Sequence, residues 1–183
     1  MKLEMTVNAS RMAALALLAL CGSTGLYAQT AAPEVQELFQ KVEGAYMMNV
    51  RKTRGVECQI AQFTGPDVNM MMVAQHKSGS SNVLFFTPIN PVATSGRQNI
   101  RLDLSNGSAS IDMTLDMRVT PHPNTADHWV LSAPISSDEA TALLLSSKVS
   151  ATSSDGIRLT TLAAPSALRT SAIKAYDACK AQL

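Results

Sequence analysis

Aromatic residues are scarce in this sequence: they make up 4% of its 183 positions, and tryptophan occurs once. Aromatic side chains bury a large area each, so their scarcity predicts a core built mainly from Leu, Val, Ile, Met and Ala. Hydrophobic residues still make up 46% of the chain, which is enough to fill a core. A chain of this length is predicted to form one domain around that core.

Long apolar runs are also absent. The apolar run from Met12 to Leu20 is shorter than the roughly 20 residues that a membrane-spanning helix needs. Lys2 and Arg11 precede that run, and small residues lead from it to Ala28, which is the pattern of a secretory signal peptide. The sequence therefore predicts a signal peptide over residues 1–28, an exported periplasmic or secreted domain over 29–183, and no transmembrane segment after cleavage.

A lipid anchor is the alternative to simple cleavage of this leader. In a lipoprotein the thiol of Cys21 would be acylated and would become the new N-terminus. Leu20, directly before it, is larger than that processing prefers. We therefore expect cleavage near Ala28.

An excess of one charge is lacking as well. Cleavage after Ala28 would remove Lys2, Glu4 and Arg11 and would leave 13 basic and 13 acidic side chains. Proteins that bind nucleic acid usually present a basic surface to the phosphates. The balance argues against nucleic acid as a partner, and we expect another envelope or secreted protein instead.

Cysteine is rare too, since Cys58 and Cys179 are the two that follow the leader. Thiols tend to be oxidised outside the cytoplasm, so the sequence predicts one disulfide between them. The alternative is a pair of buried free thiols. The two residues are far apart and form no Cys-x-x-Cys pattern, which argues against redox catalysis.

Three helices are predicted from apolar spacing and capping residues. Between Pro33 and Met48 the apolar residues recur three, four and seven positions apart, which is the spacing of one helix face. Ser136 and Glu139 form a capping-box pattern that predicts a helix over Ser137–Ser147. The last helix is predicted to run from Pro165 to the end of the chain.

Strands are predicted between these helices. The clearest turn is Asn106-Gly107, because a two-residue hairpin turn needs positive φ and this dipeptide tolerates it. The stretch Pro88–Gln98 is predicted to be a surface loop. The predicted strands are Val56–Phe63, Val68–His76, Asn82–Thr87, Ile100–Leu104, Ile111–Val119, Trp129–Ser132, Lys148–Thr152 and Ile157–Leu162. The fold class is therefore α+β, a single domain whose antiparallel sheet or sandwich-like core carries N-terminal and C-terminal helices.

No motif for catalysis is present in the sequence. It lacks a Gly-x-Ser-x-Gly nucleophile turn and a glycine-rich phosphate loop, and no histidine stands in a recognisable relation to a serine. We therefore predict no catalytic residues, no cofactor and no enzyme activity. A non-enzymatic accessory or protein-binding domain, held together by one disulfide, is the preferred interpretation.

Metal binding is the weaker alternative. His76, His122 and His128 could join Asp127 around a metal, but their spacing matches no zinc pattern. A small-ligand carrier or copper-handling protein would use Met70, Met72 and His76, because thioether sulfur suits copper(I). The competing interpretation is that the methionines fill gaps in a core short of aromatics.

Three aspartates form another candidate cluster. Asp112 and Asp116 are predicted to share one strand face, with Asp103 opposite them, which is the pattern of a carboxylate pair or a calcium site. A solvated strand face gives the same pattern, and a tight calcium loop is absent. We therefore expect a solvated face.

The C-terminal part of the chain resembles a known family. From Ala133 to the end it has a short helix, a hairpin carrying Asp155-Gly156, and a closing helix that contains Ser166-Ala167-Leu168. This order of elements resembles the C-terminal half of invasion-associated locus B-like proteins, which are exported bacterial proteins. The resemblance implies a periplasmic, β-rich, non-enzymatic domain with an accessory or binding role.

Overall fold

The computed structural model describes residues 34–53, 57–65, 69–91 and 96–183. The predicted signal peptide lies outside these residues. The helices are α1 (Ser137–Leu145) and α2 (Ser166–Lys180). The strands are β1 (Val35–Glu43), β2 (Tyr46–Thr53), β3 (Glu57–Thr64), β4 (Asn69–His76), β5 (Ser81–Thr87), β6 (Gly96–Asn106), β7 (Ala109–Pro121), β8 (Trp129–Ile135), β9 (Lys148–Thr152) and β10 (Arg158–Ala163).

The ten strands form one antiparallel sheet in the order β1-β2-β3-β4-β5-β8-β7-β6-β9-β10. The antiparallel sheet predicted from the sequence is confirmed, but the helices contribute less than an α+β class implies. Both helices lie in the C-terminal part of the chain. Within the described residues, neither is long and apolar enough to cross a membrane.

The helix predicted between Pro33 and Met48 is wrong, because its described part forms the hairpin of β1 and β2. A β-bulge at Leu38 shifts the register of β1 between Glu37 and Phe39. The extra residue breaks the two-residue alternation of the strand, so its apolar positions fall three and four residues apart and imitate a helix. Pairing with β2 then overrides the local pattern.

Two tight hairpins depend on glycine. Gly44 begins the two-residue turn between β1 and β2 with φ +62°, and Gly107 begins the turn between β6 and β7 with φ +65°. Positive φ at the first central position is typical of a type II′ turn, and glycine adopts it without steric cost. The second hairpin was predicted, but its turn is Gly107-Ser108, one residue later than Asn106-Gly107. β6 also begins at Gly96 and so includes the last three residues of the predicted loop Pro88–Gln98.

The core lies on one face of the sheet, which we call the inner face. Successive strand residues point to opposite faces, and the inner positions of β2 to β8 are buried in one apolar cluster. Both helices add their apolar sides to this cluster. They contribute Ala140, Leu143, Leu144, Leu168, Ala172, Tyr176 and Cys179.

The capping box predicted for the first of these helices is present. The Glu139 amide donates to Ser136 Oγ over 3.2 Å, and the Ser136 amide donates to Glu139 Oε2 over 2.7 Å. Two amides at the start of α1 are thereby satisfied. The predicted last helix is also confirmed, with Leu168, Ala172, Tyr176 and Cys179 on its buried side.

A disulfide joins the C-terminal helix to the sheet, as the sequence predicts. Cys58 of β3 bonds to Cys179 of α2, with their Cα atoms 6.0 Å apart and a sequence separation of 121 positions. The other end of the sheet folds back over the same face, because β10 contacts β3 and β4. The Thr87 hydroxyl of β5 fixes this arrangement by donating to the Leu159 carbonyl over 2.7 Å.

We expect removal of this disulfide to destabilise the domain strongly. In the chain-entropy model, a closed loop of this length restricts the unfolded chain enough to stabilise the fold by about 4 to 5 kcal/mol. The Cys58→Ser, Cys179→Ser double variant should show that loss in chemical denaturation. The original protein should lose a similar amount after reduction, and unchanged midpoints in both experiments would contradict the expectation.

Because the phenol of Tyr176 is buried, we expect the free energy of unfolding to fall at alkaline pH. Burial, followed by the negative charges of Asp177 and Glu57, raises the pKa of Tyr176 above its ordinary value of 10.0. The folded state therefore keeps a proton that the unfolded chain loses. The resulting stability is complete below pH 10.0 and falls as the pH rises above that value.

The Tyr176→Phe variant should remove this part of the alkaline destabilisation. We expect its free energy of unfolding to fall less than that of the original protein when both are measured by denaturation on either side of the ordinary tyrosine pKa. Tyr46→Phe is the matched control, because Tyr46 is only partly buried. Equal pH dependence of the original protein and Tyr176→Phe would show that Tyr176 does not contribute.

Candidate functional site

The face of the sheet opposite the core, which we call the outer face, carries apolar side chains of its own. In β4, Met71 and Val73 point inward and are buried, whereas Met70 and Met72 point outward and are partly exposed. β5 repeats this arrangement, with Phe85 inside and Phe86 outside. Both faces of the central strands are therefore apolar.

Register joins these outer residues into a continuous row. Directly opposite residues of paired strands share a face, and each member of the row is the cross-strand partner of the next across β2, β3, β4, β5 and β8. A second, shorter row lies beside it. Together the two rows form the apolar stripe, which consists of Met47, Phe63, Met70, Phe86 and Val130 with Met72 and Leu84.

All seven stripe side chains are partly exposed. Both helices bury their apolar sides in the inner cluster, so neither covers the stripe. Contiguous exposed apolar surface on a folded domain usually marks a place of contact with another molecule. Among the described residues, the stripe is therefore a candidate contact surface.

Polar and charged groups border the stripe where β8 meets β7. A shallow cavity of about 350 Å³ lies there, lined by Asn82, Leu84, Arg97, Arg118, Ser132, Ala133 and Pro134. The register places Leu84 opposite Ser132, Ser132 opposite Arg118, and Arg118 opposite Arg97. The apolar stripe thus leads directly into a positively charged cavity.

Arg97 is neutralised locally. Its guanidinium contacts Asp116 Oδ2 over 2.8 Å and donates to the Asp116 carbonyl over 3.2 Å. The side-chain hydrogen bond to Asp116, and then the attraction of its charge, raise the pKa of Arg97. The positive charge of Arg97 is therefore balanced by the carboxylate of Asp116.

All three aspartates singled out in the sequence form ion pairs with arginine. Asp103 and Asp112 are directly opposite each other across β6 and β7, as expected. Arg101 reaches each of these two carboxylates over 2.9 Å, and Asp116 pairs with Arg97. The side chains are exposed ion pairs on a solvated strand face.

Met70, Met72 and His76, the copper alternative, all point to the outer face of β4. Strand rise separates Met72 from His76 by about 13 Å along the backbone. Both ring nitrogens of His76 already have partners: Nδ1 lies 3.2 Å from Glu57 Oε2, and Nε2 lies 3.1 Å from Asn82 Nδ2. Glu57 Oε1 in turn accepts from the side-chain Nε2 of Gln59, so His76 belongs to a polar network at the end of the strand.

His122, Asp127 and His128 lie together in the turn between β7 and β8. A cavity of about 430 Å³ is present there, next to Trp129. His122 Nδ1 accepts from the Asn124 amide over 3.2 Å, and His128 Nδ1 donates to the Ala126 carbonyl over 3.0 Å. In the described parts of the chain, no three His, Cys, Asp or Glu side chains are grouped to hold a metal ion.

The apolar stripe was not predicted from the sequence. A signal for it exists in β4 and β5, where apolar residues follow one another without the polar alternation of a half-buried strand. Continuous apolar residues in an antiparallel strand indicate that both faces are apolar. Met70 and Met72, the methionines of the copper alternative, belong to this stripe because they share the outer face of β4.

Adjacent methionines of β4 provide a direct test of the two faces. We expect Met71→Ala to lower the free energy of unfolding by about 2 to 5 kcal/mol, because a buried methionine leaves a cavity. Met72→Ala should cost less, since its side chain is partly exposed on the outer face. Chemical denaturation measures both, and a larger loss for Met72→Ala would contradict this assignment of faces.

The chain is similar in fold to a known protein structure, and the sequence comparisons found no match. No protein-family model and no curated protein matches the chain. The crystal structure of invasion associated protein B from Bartonella henselae is similar to it, with a TM-score of 0.50 and 14% sequence identity. The alignment covers 79% of this chain and 97% of the other, so the two proteins resemble each other in fold well beyond the C-terminal part that carries the resemblance in sequence.

Proposed function

We propose that this protein is an exported, non-enzymatic accessory domain that binds another envelope or secreted protein through its outer face. The observation that carries the proposal is the apolar stripe, which is partly exposed although the chain has a complete core on the inner face. Export is supported by the predicted signal peptide and by the disulfide, since disulfides persist in oxidising compartments.

The dimensions of the stripe suit the centre of a protein interface. A row across five strands spans about 19 Å at the usual strand spacing. A standard interface covers about 800 Å² on each partner and has an apolar centre with a polar rim. Here the rim would consist of Asn82, Ser132 and Arg118 on one side and of the exposed Gln40 on the other.

The composition of the stripe also favours protein contact. Aromatic residues and methionine are enriched at interfaces, and five of the seven stripe residues are Met or Phe. Methionine is flexible and adapts to the shape of a partner. A chain with 4% aromatic residues places two of its four phenylalanines on this surface.

Site-specific photo-crosslinking tests the proposal. A photoreactive amino acid is placed at Phe86 in the stripe, and at the exposed Ile111 or Ile157 as controls outside it. In cells that export the protein, we expect the Phe86 position to give a discrete crosslinked species and the controls to give none. The additional change Met70→Gln should reduce the yield, because it makes the centre of the stripe polar.

Export is tested in the same cells. The purified protein should begin near residue 29 and should lack free thiols under non-reducing conditions. Crosslinks of equal yield from Phe86 and from both controls would contradict binding through the outer face. Retention of residues 1–28 together with two titratable thiols would contradict export.

A further inference from the structure

Two charged residues, Arg97 and Arg118, line the cavity beside the stripe. Of these two, Arg118 has no side-chain partner among the described residues. Arg97 and Arg118 stand directly opposite each other on β6 and β7, and like charges in that position destabilise a sheet. Asp116 neutralises Arg97. The exposed guanidinium of Arg118 makes no hydrogen bond or ion pair with another described side chain.

The surroundings of Arg118 suit an anion. The other polar residues that line the cavity of about 350 Å³ are Asn82, Ser132 and Arg97, and it has no acidic lining residue. Planar guanidinium groups bind carboxylates with two parallel hydrogen bonds. The cavity therefore offers positive charge and neutral hydrogen-bonding groups at one place.

The same cavity adjoins the apolar stripe. Met72, Leu84, Ser132 and Arg118 are successive cross-strand partners over β4, β5, β8 and β7. Leu84 and Arg118 are two strand spacings apart, which is about 10 Å. A molecule whose apolar groups cover the stripe can therefore place a neighbouring polar group at Arg118.

We propose that Arg118, with Arg97 beside it, binds a carboxylate of the partner protein whose apolar side chains cover the stripe. This inference rests on the proposed function and specifies the partner's chemistry: an apolar segment that carries an acidic residue or ends in the chain's own carboxylate. The unpaired charge of Arg118 selects for that group, because a lysine or arginine at the same place in an apolar segment would be repelled by it.

The spacing gives the partner segment a defined pattern. An extended peptide rises about 3.3 Å per residue, so about 10 Å corresponds to roughly three residues. A segment that crosses the strands would therefore have its acidic group two to four residues from its nearest large apolar side chain.

Selection from a library of random peptides displayed on phage tests this pattern. The bait is the purified, disulfide-bonded protein. Bound phage are competed in two parallel experiments, one with soluble original protein and one with the soluble Met70→Gln variant. We expect the original protein to compete better, and we expect the enriched peptides to share large apolar residues with an Asp, a Glu or a terminal carboxylate two to four positions away.

Fluorescence anisotropy with the best enriched peptide then measures the role of the charge. Arg118→Gln should weaken binding about tenfold, as expected for loss of a charged hydrogen bond. Arg158→Gln, which removes an exposed arginine from β10, is the matched control and should leave affinity unchanged. Raising the NaCl concentration should weaken binding to the original protein but have less effect on Arg118→Gln.

Different failures identify which proposal is wrong. Apolar peptides that compete at the stripe but bind Arg118→Gln as tightly as the original protein would overturn this inference and leave the proposed function standing. Acidic peptides whose binding depends on Arg118 but is unchanged by Met70→Gln would contradict the proposal that one segment contacts both Arg118 and the stripe. If no enriched peptide distinguishes the original stripe from Met70→Gln, this inference is overturned, and the crosslinking result alone decides the proposed function.

Discussion

The covalent bond between Cys58 and Cys179 determines which side of the sheet is covered. Cys58 points to the inner face of β3, so the bond places α2 over that face. The other helix and the returning strand β10 pack on the same side. Because both helices and β10 pack on the inner face, none of these three elements covers the outer face of the described sheet.

The outer face has two chemically different regions. On β6 and β7 it carries arginines and aspartates whose charges largely cancel through exposed ion pairs. Exposed pairs of this kind contribute little to stability, but they keep the strand surface well solvated. On β3, β4 and β5 the same face carries methionine and phenylalanine. The boundary between the two regions, at Arg118, is where apolar contact and charge recognition meet.

The sequence was sufficient to predict those elements whose structure depends on a few particular residues. The capping residues Ser136 and Glu139 predicted α1, the apolar side of α2 predicted its packing, and Gly107 identified a hairpin even though its turn lies one residue later. Two scarce cysteines predicted the disulfide. In each case the physical cause lies within a few neighbouring residues or in the limited number of possible partners.

Features that depend on strand partners could not be predicted in this way. The bulge at Leu38 gave β1 a helical apolar period, and only its pairing with β2 shows that the segment is a strand. The stripe depends on the order of β5 and β8 in the sheet, since Phe86 meets Val130 only there. Arg118 stands out because it lies directly opposite Arg97, which is 21 positions away in sequence.

The bulge in β1 also affects how the sheet ends. β1 is an edge strand with exposed Val35 and Val42, and open edges invite pairing with other chains. Its interrupted register leaves no long straight ladder for a second molecule to extend. Charged residues at Glu37, Lys41 and Glu43 add to this obstacle, so the β1 edge is poorly suited to edge-to-edge pairing with a second molecule.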